Sequence, residues 1–186
     1  MEILLVTKNE NKVKEIKEAL KGKDYELVTL SDLNDYDEVE ETGLTFKENA
    51  ALKAKYYGKK YHKVVLADDS GLEVFSLDGR PGVHSNRYAK TQNDANQKLI
   101  KEVHGKDPSA RFVTVLCLYN PFTREEKYYK GTLEGKIINT PRGTNGFGYD
   151  PIFLLPEGRT LAELSLEEKV LISHRSRALQ KLRRDL

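Results

Sequence analysis

The chain has one cysteine, one methionine and no tryptophan in 186 residues. A lone cysteine forms no intramolecular disulfide, so a disulfide-stapled fold is excluded. Cys117 sits in an apolar strand-like run and reads as a core residue in a reducing compartment, not as a nucleophile. Long hydrophobic stretches are also missing. The opening run Ile3-Leu4-Leu5-Val6 is too short for a signal peptide or a membrane span, and the expectation is a soluble cytoplasmic protein without a membrane partner. Excess charge of one sign is absent too. The formal net charge is +2, which supplies no basic stripe for a stable nucleic-acid complex. His62, His84, His104 and His174 show no zinc-ligand spacing with cysteines or acids. No Gly-x-Gly-x-x-Gly joins the first strand to the first helix and no Gly-x-x-x-x-Gly-Lys-Ser/Thr occurs, so neither the Rossmann unit nor the P-loop applies.

What is present predicts one domain over 1–186 of mixed α/β class. Ile3–Val6 reads as a buried strand, and Thr7–Asn11 as a turn. A helix follows with Val13, Ile16 and Leu20 on one face. Tyr25–Leu30 is a strand and Ser31–Gly43 an acidic loop. Thr45 with Glu48 has the form of a capping box opening a helix to about Tyr57. Lys63–Ala67 and Leu72–Phe75 read as two strands split by an acidic turn. Thr91–Val103 is helical. Arg111–Tyr119 and Glu126–Tyr129 form a hairpin, Leu133–Ile138 continues the sheet, and Ile152–Leu155 adds a strand. A second capping box, Ser165 with Glu168, opens the C-terminal helical region.

Two distant segments carry the chemistry. Asp68-Asp69-Ser70-Gly71 follows four apolar residues, and adjacent acids there repel unless something positive lies beside them. Their side chains alternate faces in a strand, so they should not play the same part. Gly143–Pro151 is a Gly-rich loop with two rings, Phe147 and Tyr149, and the acid Asp150, a composition suited to a flat polar ligand. Lys8 and Lys12 flank the start of the first helix, where backbone N–H groups and the helix dipole attract anions. They either meet a phosphate or are solvated. Glu40-Glu41 is either part of a magnesium site or a solvated loop feature. Lys169 and His174 are five positions apart, about 140° round one helix. They converge on a small ligand only if the helix breaks near Ser173; the alternative is one basic helix from Lys169 to Arg184.

Taken in order, these segments resemble the inosine triphosphate pyrophosphatase family along essentially the whole chain. They are Thr7–Lys12, Glu40–Phe46 with Glu48-Asn49-Ala50, Ala67–Leu72, Pro81-Gly82-Val83, Gly146–Phe153, Glu167-Glu168-Lys169 and Ser173-His174-Arg175. The resemblance implies an elongated mixed β-sheet flanked by helices, two lobes around a central substrate cleft, and a homodimer. It implies magnesium-dependent hydrolysis of purine nucleoside triphosphates such as ITP, dITP and XTP to monophosphate and pyrophosphate. In that pattern Thr7, Lys8, Asn9, Glu10, Asn11 and Lys12 bind the triphosphate and Lys53 reaches a phosphate. Glu40 and Asp69 bind magnesium, Asp69 also being the proton acceptor. Ser70, Phe147, Gly148, Tyr149, Asp150, Lys169, His174 and Arg175 bind substrate. Lys8 stands where the family commonly has Gly. A related pyrophosphatase of the septum-inhibition family is the competing enzyme, and a nucleotide- or RNA-binding module without turnover the competing class. The Phe-Gly-Tyr-Asp and Ser-His-Arg segments match the purine enzymes, and a pure phosphate binder would avoid the Asp68-Asp69 pair.

Overall fold

The computed structural model describes residues 1–22 and 24–186. Its six strands are β1 (Glu2–Val6), β2 (Glu26–Thr29), β3 (Val64–Val74), β4 (Ser109–Asn120), β5 (Glu125–Ile137) and β6 (Phe153–Leu154). They form one mixed sheet in the order β2-β1-β3-β4-β5-β6. The first three are parallel, as expected of strands joined through helices; the rest pair antiparallel. The helices are α1 (Glu10–Ala19), α2 (Phe46–Tyr61), α3 (Gln92–Val103), α4 (Leu166–Ile172) and α5 (His174–Asp185).

Two strand expectations are corrected. The acidic turn does not exist: β3 runs unbroken through Asp68-Asp69-Ser70-Gly71. Likewise Glu126–Tyr129 and Leu133–Ile138, apart from Ile138 itself, belong to one strand, β5, although Gly131 lies between them. That glycine marks a close approach. A side-chain carbon there would run into the His174 carbonyl, because α5 packs directly on β5. The expected strand at Ile152–Leu155 shrinks to two residues, and α2 runs four residues past Tyr57. The Thr45 cap is half a box: its hydroxyl accepts from Glu48 N–H, but Glu48 accepts from Leu44 N–H. The Ser165–Glu168 box is complete.

Alternation along β3 sorts the core. Leu66 packs with Ile16 of α1 and Leu179 of α5, whereas Val65 and Ala67 pack with Ala50, Ala54 and Tyr57 of α2. A separate cluster surrounds Leu72, Val74, Leu99 and Phe153 at the other end of the long strands. The interior is thus divided into two lobes, with β3, β4 and β5 common to both. At roughly 3.3 Å per residue these strands span about 40 Å.

The cleft arises where β1 stops. Val6 pairs with Ala67, and beyond it β3 keeps only β4 as a strand neighbour. Farther along, the vacated edge is covered by residues 80–85: Leu72 N–H donates to Ser85 Oγ at 2.9 Å and Val74 N–H to the Arg80 carbonyl at 3.1 Å. Between these covers lies the stretch carrying Asp68, Asp69 and Ser70.

Candidate active site

Strand alternation puts the two acids on opposite faces, and each collects its own cations. Asp68 lies on the α1/α5 face. Lys12 reaches it at 3.0 Å and Arg175 Nε lies 3.6 Å away. Lys12 is 6% exposed and Arg175 and Asp68 are each 1% exposed, so these are buried charges. Burial acts against the Asp68 carboxylate, but Lys12, Arg175 and Lys53 together hold its pKa well below the ordinary value. Asp69 lies on the α2 face. Its nearest cation is Lys53 at 3.8 Å, which also bonds Glu41 at 3.2 Å and donates to the Asp68 carbonyl at 2.7 Å. Burial dominates there, Glu41 and Asp68 add repulsion, and the Asp69 pKa is pushed up to about 7.

A third node joins the helices. Glu15, 1% exposed, accepts from Arg175 Nη1 at 2.8 Å and from Ser173 Oγ at 2.5 Å, and lies 3.6 Å from Lys169. Arg175 Nη2 donates to Ser70 Oγ at 3.0 Å. Sequence reading missed Glu15 because it falls among the charged residues of an amphipathic helix. Its signal was the spacing: Lys12 and Glu15 are three apart, on one face. The helix does break at Ser173, whose hydroxyl accepts from Ser176 N–H and caps α5. Lys169 and His174 consequently line one cavity.

That cavity, about 260 Å³, is walled by Phe147, Tyr149, Phe112 and His174. The His174 ring stacks on Phe112 with centroids 4.8 Å apart, and Lys169 Nζ lies 4.6 Å from the Phe147 centroid. Burial holds His174 neutral, its pKa well below the usual value. Asp150 accepts from Lys169 at 2.8 Å and from Phe147 N–H at 3.1 Å, which closes the loop on itself. Burial nonetheless raises the Asp150 pKa. Gly146, at φ +71°, leaves room for that carboxylate. Tyr149 is largely core: its hydroxyl donates to the Ser85 carbonyl at 2.7 Å. Gly148 contributes a carbonyl that accepts from Asn96 at 3.3 Å.

A second cavity of about 300 Å³ adjoins the first and is walled by Thr7, Lys8, Glu41 and Lys53. The N-terminus of α1 is less open to anions than its position suggests. Asn9 Oδ1 already accepts from Asn11 and Lys12 N–H, and Thr7 Oγ1 from Asn9 N–H. Lys8 donates to the Tyr36 carbonyl at 2.6 Å, across the mouth. Glu10 and Asn11 are exposed on the first turn of the helix. Glu40 is exposed, whereas Glu41 meets Lys53. The acidic loop carrying Glu41 is pinned to α2 by Lys60, which bonds Asp35 and Asp37 at 2.6 Å each. A larger groove of about 610 Å³ beside Phe46 and Arg80 contains none of the sequence-predicted site residues.

Among the described buried polar atoms without a hydrogen-bond partner, Asp68 Oδ1, Asp69 Oδ2, His174 Nδ1 and Arg175 Nε all belong to this cluster. An orphaned carboxylate oxygen at Asp69, with Glu41 beside the shared Lys53, suits a hard divalent cation. No group of three or more His, Cys, Asp or Glu that could hold a metal occurs among the described residues. A cation here would complete its shell with water and ligand oxygens, which is the habit of magnesium.

Residues 3–185 match the sequence profile of the Ham1 family. The chain belongs to the Ham1 family. Among similar curated proteins is a dITP/XTP pyrophosphatase of Bacillus licheniformis, 50% identical over 188 residues, 97% of this chain and 95% of that protein. Two solved Ham1 structures superpose closely. That from Staphylococcus aureus has a TM-score of 0.88 and 42% identity over 99% of this chain and 97% of its own. That from Coxiella burnetii has a TM-score of 0.89 and 40% identity over 98% and 96%. The two-lobed mixed α/β architecture is therefore that of Ham1 proteins.

Proposed function

We propose that this Ham1 protein hydrolyses non-standard purine nucleoside triphosphates (ITP, dITP and XTP) to monophosphate and pyrophosphate with magnesium, keeping such bases out of DNA and RNA. Family membership, and relatives of 44–50% identity named dITP/XTP pyrophosphatase, make it a nucleoside-triphosphate pyrophosphatase. The observation that carries the substrate assignment is the meeting of an aromatic cavity with a charged one at Asn9 and Lys12, beside the bared stretch of β3.

In this reading the base enters between Phe147 and the Phe112–His174 wall, where stacking accepts any purine. Selection then needs donors toward a 6-oxo group. Arg175 has five N–H donors, two of them engaged by Glu15 and Ser70, and His174 adds its ring. The 6-amino group of adenine would face these donors unpaired, a mismatch that rejects a ligand by up to about 10⁴-fold. Lys169 and Asp150 hold the Phe147 loop, and Ser70 holds Arg175.

Thr7 to Lys12 and Lys53 take the triphosphate. Lys12, Lys53 and Lys169 each rest on a carboxylate, so they are not free counter-charges. With Asp69 ionised, Glu15, Glu41, Asp68, Asp69 and Asp150 outnumber Lys12, Lys53, Lys169 and Arg175 by one; with Asp69 protonated the two sides are equal, and a divalent cation would tip the site positive in either state. Glu40 and Asp69 would hold magnesium, with Glu41 beside them at Lys53, and the bound ion would supply charge stabilisation of several kcal/mol at the phosphoryl group. Glu40, the ligand that the resemblance implies, precedes Glu41 in the same loop, and Glu41 meets Lys53. Asp69 orients and deprotonates the water that attacks the α-phosphorus, worth roughly 10²–10⁴-fold. The reading also takes the enzyme to be a cytoplasmic homodimer, each copy one domain over 1–186, without a stable nucleic-acid or membrane partner. No described helix is long and apolar enough to cross a membrane.

A panel of nucleoside triphosphates with magnesium tests the proposal. Inosine and xanthine substrates should release pyrophosphate far faster than ATP or GTP. Orthophosphate as the first product, or a preference for ATP, would overturn it.

A further inference from the structure

We propose that Asn86 reads the sugar of the substrate through a hydrogen bond from its side-chain amide to a ribose hydroxyl. The inference rests on the functional reading above and extends it to the part of the ligand that no sequence motif addressed. Base and triphosphate are joined only through the sugar, so the sugar lies where the two cavities meet. The walls common to both are Asn9, Lys12 and Asn86. Asn9 spends its side-chain oxygen capping α1, and the Lys12 ammonium is held by Asp68. The Asn86 amide has no hydrogen-bond partner among the described residues and is exposed at the junction.

Its position is nevertheless fixed. On one side Ser85 is tied to β3 through Leu72 N–H, to the Gly82 carbonyl, and to the base loop through Tyr149. On the other, Arg87 Nη2 donates to the Glu41 carbonyl at 3.4 Å, linking this segment to the acidic loop. The neighbours thus hold the backbone of Asn86 at the junction, and its amide is unspent. It offers both a donor and an acceptor, and a sugar hydroxyl is both as well.

The test compares Asn86→Ala with wild type on ITP, dITP and 2′,3′-dideoxy-ITP, with unfolding midpoints as a check on the fold. The exposed side chain leaves the midpoint unchanged. Loss of one uncharged hydrogen bond should lower kcat/KM for ITP about two- to tenfold and leave the dideoxy substrate untouched. A loss shared by dITP assigns the 3′-hydroxyl, and a loss confined to ITP the 2′-hydroxyl; both support the contact. An equal loss on all three substrates, or none on any, overturns it. A wild-type enzyme inert toward every inosine substrate would instead sink the functional reading, and this inference with it.

Discussion

Asp68 and Asp69 are the same side chain at neighbouring positions of one strand, yet they sit in opposite electrostatic worlds. Asp68 is surrounded by Lys12 and Arg175 and stays ionised in a fully buried site. Asp69 has a single cation at 3.8 Å, shared with Glu41, and its proton is lost only near pH 7. The difference is produced by strand alternation: one face meets α1 and α5, the other α2. A pair that looks like one carboxylate motif in sequence divides into an ion-paired anchor and a carboxyl whose proton burial retains.

Two substitutions break the comparison from either side. Asp69→Asn should lower pyrophosphate release by about 10²–10⁴-fold while the protein stays folded, if the proposed base is removed and no anchor is lost. Turnover within a factor of a few of wild type would return Asp69 to a structural role. Asp68→Asn should act on stability first. It leaves Lys12 buried without its partner, and breaking a buried pair costs about 3–5 kcal/mol, which urea denaturation reads directly. A near-neutral change would mean the anchor lies elsewhere, with Glu15 the next candidate.

The sequence revealed most of the helices and little of how the acids are held. Thr45 and Ser165 announced helix starts because capping is local chemistry, whereas Ser173 left two readings open until the structure showed the break. The continuity of β3 was hidden because two adjacent acids mimic a turn. They are tolerated in the strand only since α1, α2 and α5, distant in sequence, bring Lys12, Lys53 and Arg175 to them. The continuity of β5 across Gly131 was missed too, and that glycine serves the contact with α5. Glu15 and Asn86 were invisible for a related reason: each is polar in a polar-looking segment, and only the arrangement of other elements gives it a role. Glu40-Glu41 was legible as a pair, but which member turns inward depends on the course of an irregular loop pinned by Lys60.

The most direct measurement of the divided pair is the unfolding free energy of metal-free wild type and Asp69→Asn as a function of pH. The folded pKa of Asp69 lies above its ordinary value of 3.8, at about 7. Its proton therefore contributes stability fully below about pH 4, and this is lost as pH rises through about 7. The asparagine variant has no such proton to lose. Its stability relative to wild type should climb between about pH 4 and 7 and level off above, with an upper bound near ~4 kcal/mol for a shift of about three units. A difference that stays flat across that window, or falls as pH rises, would show Asp69 ionised like its neighbour and contradict the account.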